Sequence, residues 1–244
     1  MGSNKFFHIL KSKNNFKMRL NLVFFIFLIS CEMNVKPTNT NLNFIQNQSY
    51  FYETTSKSGV DTLVLSVADK KCEIHTTQYA ISWSAVTNLE YDNLQYTGII
   101  INKNRIWVHP PRFDVYNVLE FCPFPEIRTP LKSGTEWKDS LLIGGNYSNK
   151  RGLEFEGQIM FFHNYKIVGE TVIKTKFGKL TCWEVVANGK SKIAKSATKL
   201  YYNEKYGFVK MEFYCVDEST ITMNLVEIKP FQTNEKIDFL KLLK

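Results

Sequence analysis

The chain has 244 residues and a formal net charge of +8, from 31 Lys and Arg against 23 Asp and Glu. Five of the basic residues lie within residues 1–19, and without them the basic excess falls to three. So small an excess argues against nucleic-acid binding, which needs a strongly basic surface. A hydrophobic fraction of 44% and an aromatic fraction of 14% exclude a disordered chain and favour a folded domain.

The first 31 residues have the parts of a bacterial export signal. A basic stretch without acidic residues contains Lys5, Lys11, Lys13, Lys17 and Arg19. The apolar run 22–29 follows, and it is much shorter than the roughly 20 residues that a membrane-spanning helix needs. Leu28-Ile29-Ser30-Cys31 then resembles the lipobox of bacterial lipoproteins. The resemblance implies cleavage before Cys31 and attachment of lipid to Cys31, whereas a buried segment with a chance cysteine is the alternative.

These observations divide the chain into three parts. We predict a lipoprotein signal peptide at residues 1–30, a flexible tether at 31–47 and a single β-rich domain at 48–244. The tether is rich in Asn and Thr, a composition typical of linkers. Both Met1 and Met18 fit the start of such a signal.

Four cysteines remain once Cys31 is assigned to lipid: Cys72, Cys122, Cys182 and Cys215. In an exported protein they allow two disulfides in three pairings. Strand alternation places Cys182 and Cys215 on opposite sides of a sheet if Trp183 faces the core, unless a bulge intervenes. Buried free thiols are the alternative.

Short β segments separated by turn residues fill the chain from about residue 49. Alternation is clearest over 153–161, and beyond Gln158 both faces become apolar, with Met160 and Phe162 on the second face. This pattern predicts a strand covered on both sides. Further strands are predicted at 60–67, 72–78, 79–87, 95–101, 105–109, 113–121, 170–177, 180–187, 198–203, 207–216 and 219–228.

Tight turns such as Asn102-Lys103-Asn104 and Asn188-Gly189-Lys190 join these segments, and no crossover helix stands between them. The sequence therefore predicts a mainly β fold, with a curved, mostly antiparallel sheet that forms an open half-barrel or a sandwich. Residues 236–243 have the pattern of a short amphipathic C-terminal helix.

Three segments of the second half occur in an order that resembles a known group of proteins. They are Pro130-Leu131-Lys132-Ser133-Gly134-Thr135-Glu136-Trp137, then Phe177-Gly178-Lys179-Leu180-Thr181-Cys182-Trp183-Glu184-Val185, then Tyr201-Tyr202 with Tyr206-Gly207-Phe208-Val209-Lys210. The order is similar to that of uncharacterised exported β proteins of Gram-negative bacteria, related in form to the lipoprotein carriers LolA and LolB. The resemblance covers residues 125–228 and implies an open β half-barrel with an apolar concave face. It carries over no catalytic residue. The aromatic residues around Gly207 are expected to be packing partners, with Gly207 in a turn or bulge.

No catalytic, metal or cofactor motif is present. His75, His109 and His163 have no metal-ligand spacing, and His163 is expected in the core. His109-Pro110-Pro111-Arg112 is expected in a solvated loop. Glu154 and Glu156 are expected on a solvent face. Gly189-Lys190-Ser191 lacks the first glycine of a phosphate loop, because Glu184 stands at that position. We therefore predict that the protein is not an enzyme.

Two functions remain open. The first is binding of a lipid or other apolar ligand in the bacterial envelope, favoured by many aromatic residues on a curved sheet. The alternative is an envelope assembly or structural factor that acts through protein–protein contacts without a small ligand. A concave face filled by the chain's own side chains would exclude the first function.

The location follows from the lipobox. Glu32, and no Asp, follows Cys31, which predicts lipid anchoring in the outer membrane, facing the periplasm. The expected partners are the membrane, through lipidated Cys31, and a lipid or an envelope protein, but no nucleic acid. Heavy use of Asn, Lys, Ile and Phe resembles proteins of Bacteroidota-like bacteria.

Overall fold

The computed structural model describes residue 42 and residues 44–72, 75–86, 95–149 and 153–231. All of these residues belong to one compact unit, Pro37–Lys244. Several predictions lie outside the described residues: the signal peptide at 1–30, the lipid site Cys31, most of the tether at 31–47 and the helix at 236–243.

Antiparallel strands make up most of the described part of the chain. The strands are β1 (Gln48–Ser56), β2 (Gly59–Lys71), β3 (Tyr79–Ala85), β4 (Gln95–Asn102), β5 (Arg105–Val108), β6 (Glu126–Arg128), β7 (Glu136–Gly144), β8 (Gln158–Thr175), β9 (Gly178–Lys190), β10 (Lys195–Asn203), β11 (Gly207–Tyr214) and β12 (Thr220–Pro230). Within the described residues, two 3-10 helices lie at Asp114–Phe121 and Gly145–Tyr147.

The twelve strands form one sheet in the order β6-β5-β4-β3-β2-β1-β12-β11-β10-β9-β8-β7. Almost every spatial neighbour is also a neighbour in sequence, so hairpin turns suffice to connect them. The pairing of β1 with β12 joins the two halves, from Gln48 opposite Pro230 to Thr55 opposite Thr222. The sheet curls into a half-barrel, which confirms the predicted curved antiparallel architecture.

The inner face of the sheet carries the hydrophobic core. Along β8 every second residue from Ile159 to Ile167 is buried, as a half-buried strand requires. At the end of β10, Tyr202 is also fully buried. Gly207, which begins β11, has φ +77°, and the ring of Phe44 lies 2.9 Å from the point that a Cβ would occupy. Gly207 therefore has the turn conformation predicted for it, and a larger residue would collide with Phe44.

Four predicted strands differ from the observed elements. Residues 113–121 are a 3-10 helix rather than a strand, because apolar residues fall on both alternating faces and the segment is buried inside the sheet. Of the strand predicted at 72–78, the described residues Cys72 and 75–78 lie between β2, which ends at Lys71, and β3. The strands predicted at 153–161 and 170–177 are parts of one 18-residue strand, β8, which begins only at Gln158.

The second face of β8 also differs from its prediction. Met160 and Phe162 point away from the core, with 37% and 61% of their surface exposed. The interpretation that this strand is covered on both sides is therefore wrong. Alternation locates the inner face correctly, but an apolar residue on the other face need not be buried.

Side chains connect β6 and β7, the two ends of the strand order. The fully buried Glu126 on β6 accepts hydrogen bonds at Oε2 from Trp137 Nε1 of β7, at 3.0 Å, and at Oε1 from Arg128 Nε, at 2.6 Å. Arg105 pairs with the same carboxylate and donates from Nη2 to Asp139 Oδ2 of β7, at 3.0 Å. The curled sheet is thus held shut by one buried carboxylate and two arginines.

We expect Glu126→Gln to lower the free energy of unfolding by about 3 kcal/mol, because both guanidinium groups then lose their buried counter-charge. The matched control is Glu227→Gln, which removes an exposed ion pair with Lys229 and should cost less than about 0.5 kcal/mol. Urea unfolding of the two variants and the parent measures both values. Equal stability of Glu126→Gln and the parent would show that this contact does not hold the sheet shut.

Candidate functional site

The concave side of the half-barrel is occupied by the chain itself. Residues 109–125, between β5 and β6, form a segment that we call the plug. Its last eight residues, 118–125, are all buried, and the 3-10 helix lies within it. Leu119, Phe121 and Cys122 have no exposed surface. The concave face, which lines the ligand cavity in an open half-barrel, is therefore covered here by residues of the chain itself.

Inward-facing polar side chains of the sheet hold the backbone of the plug. Four donate to plug carbonyl oxygens: Trp83 Nε1 to His109 at 2.8 Å, Ser196 Oγ to Phe121 at 2.6 Å, Thr198 Oγ1 to Pro123 at 2.8 Å and Tyr165 Oη to Phe124 at 3.0 Å. A fifth contact joins the hydroxyls of Thr54 and Tyr116 at 2.7 Å. The plug thus contacts β1, β3, β8 and β10. Its buried carbonyls receive the hydrogen bonds that strand pairing would otherwise supply.

Two cavities lined by described residues have charged side chains in their walls. One, of about 350 Å³, lies between the end of β8 and strands β11 and β12, beside Lys174, Lys176 and Lys210. Another, of about 500 Å³, lies at the turn Asp217–Ser219, beside Lys57. Charged side chains in both walls, such as Glu53 in the first and Asp217 in the second, make these cavities unsuited to an acyl chain.

A histidine and a glutamate of the plug form a buried titratable pair. His109 Nε2 lies 3.6 Å from Glu120 Oε2, and Arg112 Nη1 lies 3.4 Å from the same imidazole nitrogen. Arg112 also donates to Tyr147 Oη, at 3.5 Å. Burial raises the pKa of Glu120 to about 7, although Arg112 opposes the shift. Burial and the charge of Arg112 lower the pKa of His109 to about 4, against a hydrogen bond to the Pro110 carbonyl. The expectation that His109 lies in a solvated loop is therefore wrong.

His163 on β8 lies in the core, as predicted, and is 3% exposed. Within the described residues its Nε2 has no hydrogen-bond partner. Burial lowers its pKa to about 4, although the charge of Asp139 raises it. The position of a Cβ on Gly189 would be 3.2 Å from its ring, so only glycine fits beside it. His163 is thus a neutral, tightly packed imidazole.

The remaining residues singled out by the sequence do not come together. His75 is exposed in the connection before β3, and Glu154 and Glu156 are exposed before β8, as expected for solvated carboxylates. Gly189-Lys190-Ser191 ends β9 and leads into β10, so no helix follows it. No group of three or more His, Cys, Asp or Glu placed to hold a metal occurs among the described residues. In that same part of the chain, no helix is long and apolar enough to cross a membrane.

The four cysteines of the β-rich domain are free thiols, three of them buried. Cys182 and Cys215 both belong to the core cluster, whereas the sequence places them on opposite sides of the sheet only if Trp183 faces the core. That condition is not met, because Cys182 is fully buried and Trp183 is only partly buried. The two residues lie next to a register shift between Ile167 and Gly169 of β8. Burial raises the pKa of Cys182 to about 11. The neighbouring Cys122 of the plug lowers the pKa of Cys215.

An apolar strip lies on the outer face of the sheet at its β7 edge. Leu142, Met160 and Phe162 are 52%, 37% and 61% exposed. Leu142 lies directly across from Met160, so the three side chains are contiguous. Lys190 is across from both Phe162 and Lys195, and these lysines border the strip. The sequence pattern contained these residues but gave no sign that they face solvent.

Comparison with known proteins identifies distant structures only. No protein-family profile and no curated protein matches the chain. Solved structures that resemble it include a protein named as a lipoprotein from Parabacteroides distasonis, at 10% identity and TM-score 0.45, covering 76% of this chain and 96% of that one. A protein named as exported, with a YmcC-like fold, from Bacteroides fragilis has 12% identity, TM-score 0.40 and coverages of 78% and 99%.

The hypothetical lipoprotein YmcC from Escherichia coli resembles the chain at 12% identity and TM-score 0.39, with coverages of 78% and 92%. At these identities and scores, none of the three structures carries an argument about the family, ligand or partners of this chain. The relation to LolA and LolB stays a prediction.

We expect Glu120→Gln to change how stability depends on pH. The folded-state pKa of Glu120 lies above the unfolded value near 4.5. The protonated carboxyl therefore contributes fully to the stability of the folded state below pH 4.5, and this contribution is lost as the pH rises through 7. Between pH 5 and 8 the parent should therefore lose about 2 kcal/mol more unfolding free energy than the variant.

Urea unfolding at several pH values measures this difference. Glu154→Gln, which alters an exposed carboxylate, serves as the control and should follow the parent. Parallel pH profiles for Glu120→Gln and the parent would contradict the assignment of a raised pKa to Glu120.

Proposed function

We propose that this protein is an exported lipoprotein, anchored through Cys31 to the outer membrane and facing the periplasm, that binds another envelope protein. The lipobox and the basic and apolar segments before it support the anchor. The proposal assigns a binding role, with no reaction, no cofactor and no nucleic acid.

The filled concave face is the observation that favours binding of a protein over binding of a lipid. A carrier of acyl chains needs an apolar cavity, and here residues 109–125 lie where that cavity would be, fixed by five hydrogen bonds from the sheet. Entry of a ligand would break these bonds and leave buried carbonyl groups without donors, each at a cost of about 1–3 kcal/mol. Protein–protein contact is therefore favoured over ligand binding.

The outer apolar strip supports the position of the contact. An aromatic ring with 61% of its surface in water, next to two further apolar side chains, is typical of the centre of an interface. The exposed Lys190, Lys192 and Lys195 lie at the end of the sheet that carries Phe162. A complementary partner would present an apolar patch with acidic residues around it.

Photo-crosslinking tests the proposed contact in cells of the bacterium that encodes the chain. A photoreactive amino acid at Phe162 or Leu142 of the full chain should yield the same discrete protein adduct. The control position is Val172, which is 63% exposed on the same strand but outside the strip. Lys190→Glu with Lys195→Glu should lower the adduct yield from Phe162 about fivefold, because the acidic rim of the partner is then repelled.

Equal yields from Phe162 and Val172, or adducts with lipid alone, would overturn the proposed surface.

Native mass spectrometry of the purified protein after incubation with envelope lipids tests whether the protein is a lipid carrier instead. We expect the mass of the bare protein. A bound mass of lipid size that survives purification would favour the carrier function instead.

A further inference from the structure

The contact between the plug and β11 contains two cysteines with no assigned role. Cys122 follows the 3-10 helix of the plug, and Cys215 follows the last residue of β11. Each thiol shifts the pKa of the other, as neighbouring groups do. Cys122 has no exposed surface and Cys215 only 6%, and both belong to the core cluster.

Neighbouring hydrogen bonds fix this juxtaposition independently of the thiols. Tyr214, the residue before Cys215, pairs with Ala197 of β10, and the residue before Ala197 is Ser196. Its hydroxyl donates to the carbonyl oxygen of Phe121, the residue before Cys122, at 2.6 Å. Thr198 binds the carbonyl oxygen of Pro123, the residue after Cys122, at 2.8 Å. Cys122 is therefore held between two anchored residues, over the position of Cys215.

We propose that Cys122 and Cys215 form a disulfide bond that ties the plug covalently to the sheet. The proposal rests on the export of the chain for its oxidising surroundings, because disulfides form and persist outside the cytoplasm. The bond requires the sulfur atoms to approach to about 2 Å and the Cα atoms to lie about 4.4–6.8 Å apart. Cys72 and Cys182 are outside this pair and are expected to stay as thiols.

The oxidant is a low-molecular-weight disulfide or a thiol–disulfide oxidoreductase of the envelope. Cys122 has no exposed surface and Cys215 has 6%, so Cys215 is the thiol that the oxidant reaches first. Its thiolate attacks one sulfur of the oxidant and releases the first thiol. Cys122 then attacks the Cys215 sulfur and releases the second. Two electrons and two protons pass from the protein to the oxidant, which leaves as two thiols.

The proposed disulfide bond affects the filled concave face. The two cysteines enclose a loop of about 90 residues, so the bond removes much of the conformational freedom of the unfolded chain. In the folded state it prevents the plug from leaving the sheet wall. An oxidised protein would therefore keep its concave face closed even where the hydrogen bonds to the plug open transiently.

Refolding of the full chain tests the bond without reliance on export. The chain is purified in detergent, reduced in urea and refolded with a mixture of reduced and oxidised glutathione. Remaining thiols are alkylated, and tryptic peptides are mapped without reduction. Each cysteine lies in a different tryptic peptide, because Lys or Arg separates every consecutive pair. We expect one linked species, which joins the peptides of Cys122 and Cys215 and is two hydrogens lighter than their sum.

A stability measurement complements the mapping. Reducing agent should lower the urea midpoint of the oxidised parent by about 1–2 M. The matched control, Cys182→Ala, removes a buried thiol outside the pair and should show the same shift, whereas Cys122→Ala should show none. Alkylation of both Cys122 and Cys215, or linkage of either to Cys72, Cys182 or Cys31, would overturn the proposal. Neither result would bear on the crosslinking test of the outer strip.

Discussion

The structure depends on covering the inner face of one long curled sheet. Twelve antiparallel strands bury their alternate residues on the same side, and a half-barrel of this width leaves space between its walls. The chain fills this space with its own residues 109–125, which contact strands from both halves of the sheet. Hydrophobic burial drives this arrangement, and the polar side chains of the walls make it specific.

Charged groups buried by this arrangement are paired or neutral. Glu126 is fully buried yet has two arginines and an indole N–H, which offset its lost hydration. Glu120 has no comparable set of donors, and its pKa rises to about 7. His109 and His163 are buried with lowered pKa values and so remain neutral near pH 7. The difference between these groups is the number of donors that the fold brings to each, rather than the residue type.

The sequence pattern predicted the sheet well and the plug poorly. Period-two alternation and turn residues locate most of the strands, because each of these signals is local. Residues 113–121 were predicted as a strand, since their aromatic and β-branched content is typical of one. They form a 3-10 helix because they are enclosed on several sides and pair with no strand. The same enclosure explains why His109 is buried although its Pro-rich surroundings are typical of a solvated loop.

The candidate site depends on contacts between distant residues, which the sequence alone does not record. Phe162 and Tyr165 belong to one alternating strand, and only the curl of the sheet decides that Tyr165 supports the plug while Phe162 faces water. Cys122 and Cys215 meet because the plug crosses to β11, a contact between residues far apart in the chain. By itself the sequence determined the β class and the antiparallel connectivity, since these rest on local alternation and turns. The closed concave face, the state of each buried acid and the pairing of the thiols were decided by tertiary structure, because each depends on which surfaces meet.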